Sequence, residues 1–185
     1  VETQAMNATE AVKETESALP AGEMYSYLTG EPVSETIGKQ RPYAIMINNI
    51  ETSLPQSGVS QAEMIYEAQV ESGITRLMAV FQDVDNIEKI GSIRSARHYY
   101  IDFANDNDAI YVHYGQSKYA LSRIEDDNIM TINGLSGYES KVFYRSSDRK
   151  APHNVYTTGK MLAEGLEVTG LTRDYPEGYT PRLQF

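Results

Sequence analysis

The chain contains no cysteine, which excludes disulfides, thiolate catalysis and cysteine-ligated zinc together while leaving the redox compartment open. Long apolar runs are missing too. No stretch approaches the roughly 18 residues that a transmembrane helix needs, and no signal-peptide pattern is visible. Nor is there a lysine- and arginine-rich arm or stripe: 16 basic residues stand against 26 acidic ones, a formal net charge of -10. Sequence-independent binding to nucleic acid or to an anionic membrane surface is therefore disfavoured. Any bound anion must be met by a local arginine cluster working against the overall field. The three histidines, His98, His113 and His153, lack metal-ligand spacing, so neither a metal nor a cofactor is expected. Phosphate loop, dinucleotide fingerprint, nucleophile elbow and calcium loop are all absent as motifs.

What is present divides at about residue 40. Residues 1–40, rich in Glu, Thr, Ala and Ser, read as a flexible acidic lead-in or stalk, with a short helix around Thr9 to Ala18 and Met24 to Leu28 as a candidate docking segment. Residues 41–185 read as one globular domain. "RPYAIMINN" (Arg41 to Asn49) has the apolar run of a buried strand. In "EMIYEAQVESGITRLMAVFQD", two alternating runs flank Ser72-Gly73, the pattern of a hairpin with a two-residue loop. That register sets Gln69 opposite Arg76 and Glu67 opposite Met78, placing Arg76 between Glu67 and Glu71 on a half-polar face. "KIGSI" is a short strand or link, and a helix is expected from a Ser95 cap to "NDND". "AIYVHYG" reads as a strand, followed by a helix capped by Ser117. Two short strands, Ile129 to Ile132 and Lys141 to Tyr144, and a last helix from Thr157 or Thr158 to about Leu166 complete the pattern. The fold class is α+β: a mixed, mainly antiparallel sheet with a β-hairpin and about three packed helices.

The chemistry concentrates in two places. In "IRSAR", Arg94 precedes the Ser95 cap and Arg97 occupies the first turn, where the helix dipole opposes a cation. Arginines there make sense if an anion shares the helix start, taking backbone N–H groups and forked guanidinium contacts. Its source is either internal, from Glu67, Glu71 or Asp83, or an external ligand. In "SSDRKAPHN", Arg149, His153 and Asn154 lie in a segment too polar for a core, presenting a rigid polar loop or merely satisfying local backbone groups. His113, near the C-terminal end of a strand, is a candidate site residue or a hydrogen-bonded structural one. The 14 tyrosines suggest a carbohydrate or peptide platform, but most recur at core-compatible positions.

Taken in order, "RPYAIMINN", "PQSGVSQAEMIYEAQVESGITRLMAVF", "IGSIRSARHYYIDFA" and "RKAPHNVYTT" resemble the N-terminal part of the YerB-type family of bacterial lipoproteins over about Arg41 to Thr158. The resemblance implies an exported protein, tethered outside the membrane by a lipidated cysteine absent from this sequence, and a second domain beyond this chain. It brings no reaction. Its motif residues matched here are Glu67, Glu71, Arg76, Arg94, Ser95, Arg97, His153 and Asn154. Three readings follow. The first is an envelope binding or regulatory module for an anionic envelope ligand or protein. The second is an enzyme acting on a phosphate-linked envelope substrate, with His113 or His153 as acid or base. The third is a scaffold whose salt bridges are all internal.

Overall fold

The run Tyr43–Asn48 is buried at every position, which an α+β fold allows only for a strand covered on both faces. In the computed structural model, which describes residues 19–182, this strand is β3. It lies at the centre of a five-stranded sheet of order β4-β5-β3-β7-β8, formed with β4 (Met64–Gln69), β5 (Thr75–Phe81), β7 (Ile110–His113) and β8 (Thr131–Asn133). β3 pairs antiparallel with β5 and parallel with β7, and β7 pairs parallel with β8. A hairpin of β1 (Glu23–Tyr25) and β2 (Pro32–Ser34) leads to the single-turn α1 (Glu35–Gly38). A three-stranded sheet joins β6 (Ile90–Gly91), β10 (Val155–Thr157) and β9 (Tyr144–Arg145). The remaining helices are α2 (His98–Asp106), α3 (Lys118–Asp126), the short α4 (Glu139–Val142) and α5 (Gly159–Thr169). The class is α+β, and most of the strand pairings are antiparallel.

Alternation along β3 divides the interior in two. Tyr43, Ile45 and Ile47 meet Ile90, Val142, Val155 and Leu162 on one side of the sheet. Ala44 and Met46 meet Tyr100, Ile101, Ala104 and Ala120, from α2 and α3, on the other. Each of the valine, leucine, isoleucine and methionine side chains among these contributes roughly 1.5–3 kcal/mol by leaving water.

The structure departs from the sequence pattern in four places. Residues 23–38, within the stretch expected to be flexible, form β1, β2 and α1, a strand pair too short to register in composition, while Leu28, in the candidate docking segment Met24 to Leu28, enters the core beside α2 at 5% exposure. The helix expected over Thr9 to Ala18 lies outside the described residues. The hairpin loop holds three residues, Glu71, Ser72 and Gly73, closed by a 2.8 Å bond from the Val70 N–H to the Ile74 carbonyl. Ser72 takes φ 59° beside Gly73 at 73°, a left-handed serine that turn statistics disfavour. The register is accordingly one residue off expectation: Gln69 faces Thr75, Ala68 faces Arg76 and Glu67 faces Leu77. A one-residue slip exchanges the two faces of a strand, so Arg76 joins Met78 and Val80 under α2 instead of lying between Glu67 and Glu71. Third, α2 begins at His98, not behind a Ser95 cap. Residues 92–96 stay extended because backbone bonds hold them: Asn48 N–H to Ser92 O, Arg94 N–H to Met46 O, Tyr114 N–H to Arg94 O and Ala96 N–H to Gly115 O, all 2.9–3.1 Å. This segment wedges between the C-terminal ends of β3 and β7, which part beyond Ile45 and Val112. Fourth, residues expected as a strand over Lys141 to Tyr144 make one turn of α4 before β9. Ser117 and Thr158 cap α3 and α5 as expected, accepting from Ala120 N–H and Met161 N–H.

Candidate functional site

Parallel strands β3, β7 and β8 end on one side of the sheet, and there the wedge delivers Arg94 and Ser95, β5 delivers Arg76, and the approach to α2 delivers Arg97. Carboxyl ends of parallel strands are the usual place for ligands in such sheets. Ser95 does not cap: its hydroxyl donates to the Tyr114 carbonyl at 3.1 Å. Arg97 itself occupies the N-cap position of α2 and makes no side-chain cap bond, leaving first-turn N–H groups without that partner.

The three arginines are treated differently. Arg97 is engaged internally: Nε and Nη2 form a fork on the Glu71 carboxylate, and Nη1 donates to the Ala96 carbonyl at 2.8 Å. That fork holds the Glu71 carboxyl down at about 2, although the side chain is 58% exposed. Arg76, only 4% exposed, donates from Nη1 to the Ser95 carbonyl at 2.6 Å. Arg94 donates from Nη1 to the Pro152 carbonyl at 3.0 Å, while its Nε is buried without a partner among the described residues. No carboxylate among the described residues forms a salt bridge with Arg76 or Arg94. Burial, then repulsion from Arg97 and Arg94, lowers the Arg76 pKa to about 10; burial and Arg97 lower that of Arg94. Beneath them the Tyr111 hydroxyl is wholly buried and has no partner among the described residues. Burial pushes its pKa up, partly opposed by the nearby Arg97 N–H and the Arg76 charge. The arrangement is a set of donors with a deficit of acceptors.

The other expected site residues lie around or away from this cluster. Glu67, on the opposite face of β4, accepts from Asn49 Nδ2 at 2.9 Å and from Thr75 Oγ1, so it is not the arginines' partner. His153 borders the cluster, where the buried Asn48 donates from Nδ2 to its Nδ1 at 2.9 Å, which leaves the ring proton on Nε2. Burial, Arg94 and Arg149 lower its pKa and favour that neutral form. Arg149 turns to the Ser53 and Pro55 carbonyls and ties two loops. Asn154 is buried, accepting from Arg145 Nη1 at 2.8 Å and donating to Ser146 O at 3.2 Å. His113 is fully buried between the Gly115 carbonyl and Thr131 Oγ1, both 2.8 Å away. Burial drops its pKa to about 4. It is a neutral structural residue with both nitrogens occupied, and it cannot reach a ligand. Among the described residues no group of three or more His, Asp or Glu is placed to hold a metal, and no helix is long and apolar enough to cross a membrane. Asn48 and Tyr111 carried little signal in the sequence. The paired asparagines closing an apolar run were the clue to the first; nothing distinguished the second from a core tyrosine.

Residues 28–172 match the family model described as "Protein of unknown function (DUF3048) N-terminal domain". The chain is 36% identical over 143 residues to "Putative lipoprotein YerB" of Bacillus subtilis (strain 168), a match covering 77% of this chain and 43% of the relative. The crystal structure of YerB protein from Bacillus subtilis superposes with a TM-score of 0.75 at 34% identity, covering 82% of this chain and 52% of that one. The chain thus spans about half the length of the relatives it matches. With a matching sequence model, a relative above a third identity and a shared fold, the chain belongs to the DUF3048 N-terminal domain family.

Proposed function

We propose that this domain is an extracytoplasmic, envelope-associated binding module that receives an anionic group on Arg76 and Arg94 at the start of α2. Its relative bears the name of a lipoprotein, and a tethered domain outside the membrane is the setting in which the reading is made. The observation that carries it is Arg76: a guanidinium 4% exposed, in no salt bridge among the described residues, with two arginines pushing against it and the Glu71 carboxylate, already forked by Arg97, offsetting them only in part. A buried cation is normally paired. Arg94 Nε, the Tyr111 hydroxyl and the uncapped first turn of α2 add donors on the same side. A phosphate or carboxylate there would gain forked and dipole contacts at once.

The scaffold reading accounts for Arg97, Arg149 and Asn154 but leaves Arg76 and Arg94 with backbone carbonyls and no salt bridge among the described residues. The enzyme reading rests on His153, neutral beside Arg94 with Nε2 as its proton-bearing nitrogen, a candidate acid or base for a phosphate-linked substrate. The test is thermal melting of the whole chain in graded phosphate, sulfate and acetate. Phosphate is expected to raise the melting temperature of wild type and not of Arg94→Gln. A flat response to all three anions would defeat the proposal.

A further inference from the structure

Next to the arginine cluster, the hairpin tip and the first turns of α2 and α3 enclose an open cleft of about 350 Å3, a size typical of small-molecule sites. Gln69 and Glu71 form one wall, and His98, Tyr99, Ser117 and Tyr119 the other. Tyr119 is 72% exposed. The His98 ring lies between Tyr99 and Tyr119, with centroids 5.1 and 5.9 Å away in edge-to-face geometry, and the Tyr99 hydroxyl is fixed on the Gln69 carbonyl at 2.6 Å. One wall is therefore a supported aromatic surface open to water. The facing wall carries an acceptor: a Glu71 carboxylate that its fork with Arg97 orients without covering.

This pairing of surfaces fits a ring with an apolar face and a rim of hydroxyl donors. A sugar ring lays its C–H face on an aromatic side chain, and its vicinal hydroxyls donate to a carboxylate in charge-assisted bonds. A nucleobase would stack equally well but offers no paired hydroxyls to Glu71. The cleft adjoins the anion receptor, since the Arg76 and Arg97 guanidinium groups share the Ser95 carbonyl at 2.6 and 3.4 Å. Building on the anion-binding reading above, we infer that the cleft is a saccharide subsite and that the ligand class is an acidic saccharide, with its ring on Tyr119 and His98 and its anionic group on Arg76 and Arg94.

The experiment is calorimetric titration of the whole chain with glucose 1-phosphate, inorganic phosphate, glucose and adenosine monophosphate, on wild type, Tyr119→Ala, Tyr119→Phe and Arg94→Gln. Glucose 1-phosphate is expected to bind about fivefold or more tighter than inorganic phosphate, the factor that one aromatic contact supplies. Tyr119→Ala should bring it down to the phosphate value, Tyr119→Phe should retain the preference, and neither should change phosphate binding. Equal affinities for the two phosphates, or no effect of Tyr119→Ala, would overturn the subsite while leaving the anion receptor standing. Tighter, Tyr119-dependent binding of adenosine monophosphate would overturn the saccharide assignment. Tyr119-dependent binding of glucose with no phosphate binding would support the subsite and remove the anion reading. Silence from every probe would overturn both.

Discussion

Replacing Arg76 with methionine is expected to make the ligand-free domain more stable. The Arg76 pKa falls from the ordinary 12.5 to about 10, and at 1.36 kcal/mol per pKa unit, keeping this guanidinium charged inside the fold costs about 3 kcal/mol at neutral pH. Its recorded compensation is the bond to the Ser95 carbonyl, and a bond from a charged donor is worth roughly 1.5–3 kcal/mol. That carbonyl keeps a second, longer contact from Arg97, so its loss is incomplete. Methionine matches the length of the stem and adds apolar burial against Met78 and Tyr100 in the same core. The net gain is about 1–2 kcal/mol, or about 2–8 °C in melting temperature for a domain of this size. Urea denaturation followed by circular dichroism, with and without phosphate, measures it. Arg76→Met should also erase the stabilisation that phosphate gives wild type, which reaches about 2.7 kcal/mol at a hundred times Kd. A loss of 3 kcal/mol or more in the variant would refute the reasoning, because that is the signature of a stranded internal carboxylate.

Other perturbations separate the remaining polar groups. Arg97→Ala should cost no more than about 1 kcal/mol, since its partner Glu71 is largely exposed; NMR titration should show the Glu71 pKa returning from about 2 toward the ordinary carboxylate range. In wild type that pair's contribution, discounted for exposure, is present above about pH 4.5 and fades as pH falls toward 2. His113 has a folded pKa near 4 against an ordinary 6.5, so the unfolded chain takes up the proton first and stability falls as pH drops from 6.5 to 4, by up to about 3 kcal/mol. His113→Gln should flatten that part of the melting profile, and an unchanged slope would remove the histidine as its cause. Gly73→Val should destabilise by about 1–2 kcal/mol through its φ of 73° alone, because a Cβ there meets only Gln69 Nε2 at 3.9 Å; wild-type stability in urea would show that the loop relaxes freely.

Local pattern revealed those parts of the fold that rest on local physics. The apolar run that became β3, the Ser117 and Thr158 caps and the existence of the β4–β5 hairpin all follow from neighbours in sequence. The register did not, because it turns on whether Ser72 adopts a positive φ, and serine composition is silent on that. One residue of slip was enough to move Arg76 from a surface between carboxylates to a buried place where no carboxylate among the described residues bridges to it. Similarly, "IRSAR" drew attention as a helix start, but the backbone of Arg94 and Ala96 is claimed by β3 and β7, elements about 50 residues before and 20 after. Long-range pairing overrode the cap. Arg97 and Glu71 meet as one of the alternatives anticipated, whereas Tyr111 and Asn48 became site residues only once the sheet brought strand ends together.

The wedge at residues 92–96 has a further consequence for how the protein comes into being. Ile93 belongs to one core and Ala96 to the other, and the backbone between them is pinned to both β3 and β7. It can seat only after those two strands, separated by more than 60 residues of chain, have found each other, which is the slow, entropically costly kind of contact. The arginines therefore come together late, as the keystone of the sheet and not as a local motif. A half-folded chain carries all three arginines and yet has no cluster to offer, so the phosphate response proposed above doubles as a check that folding has run to completion.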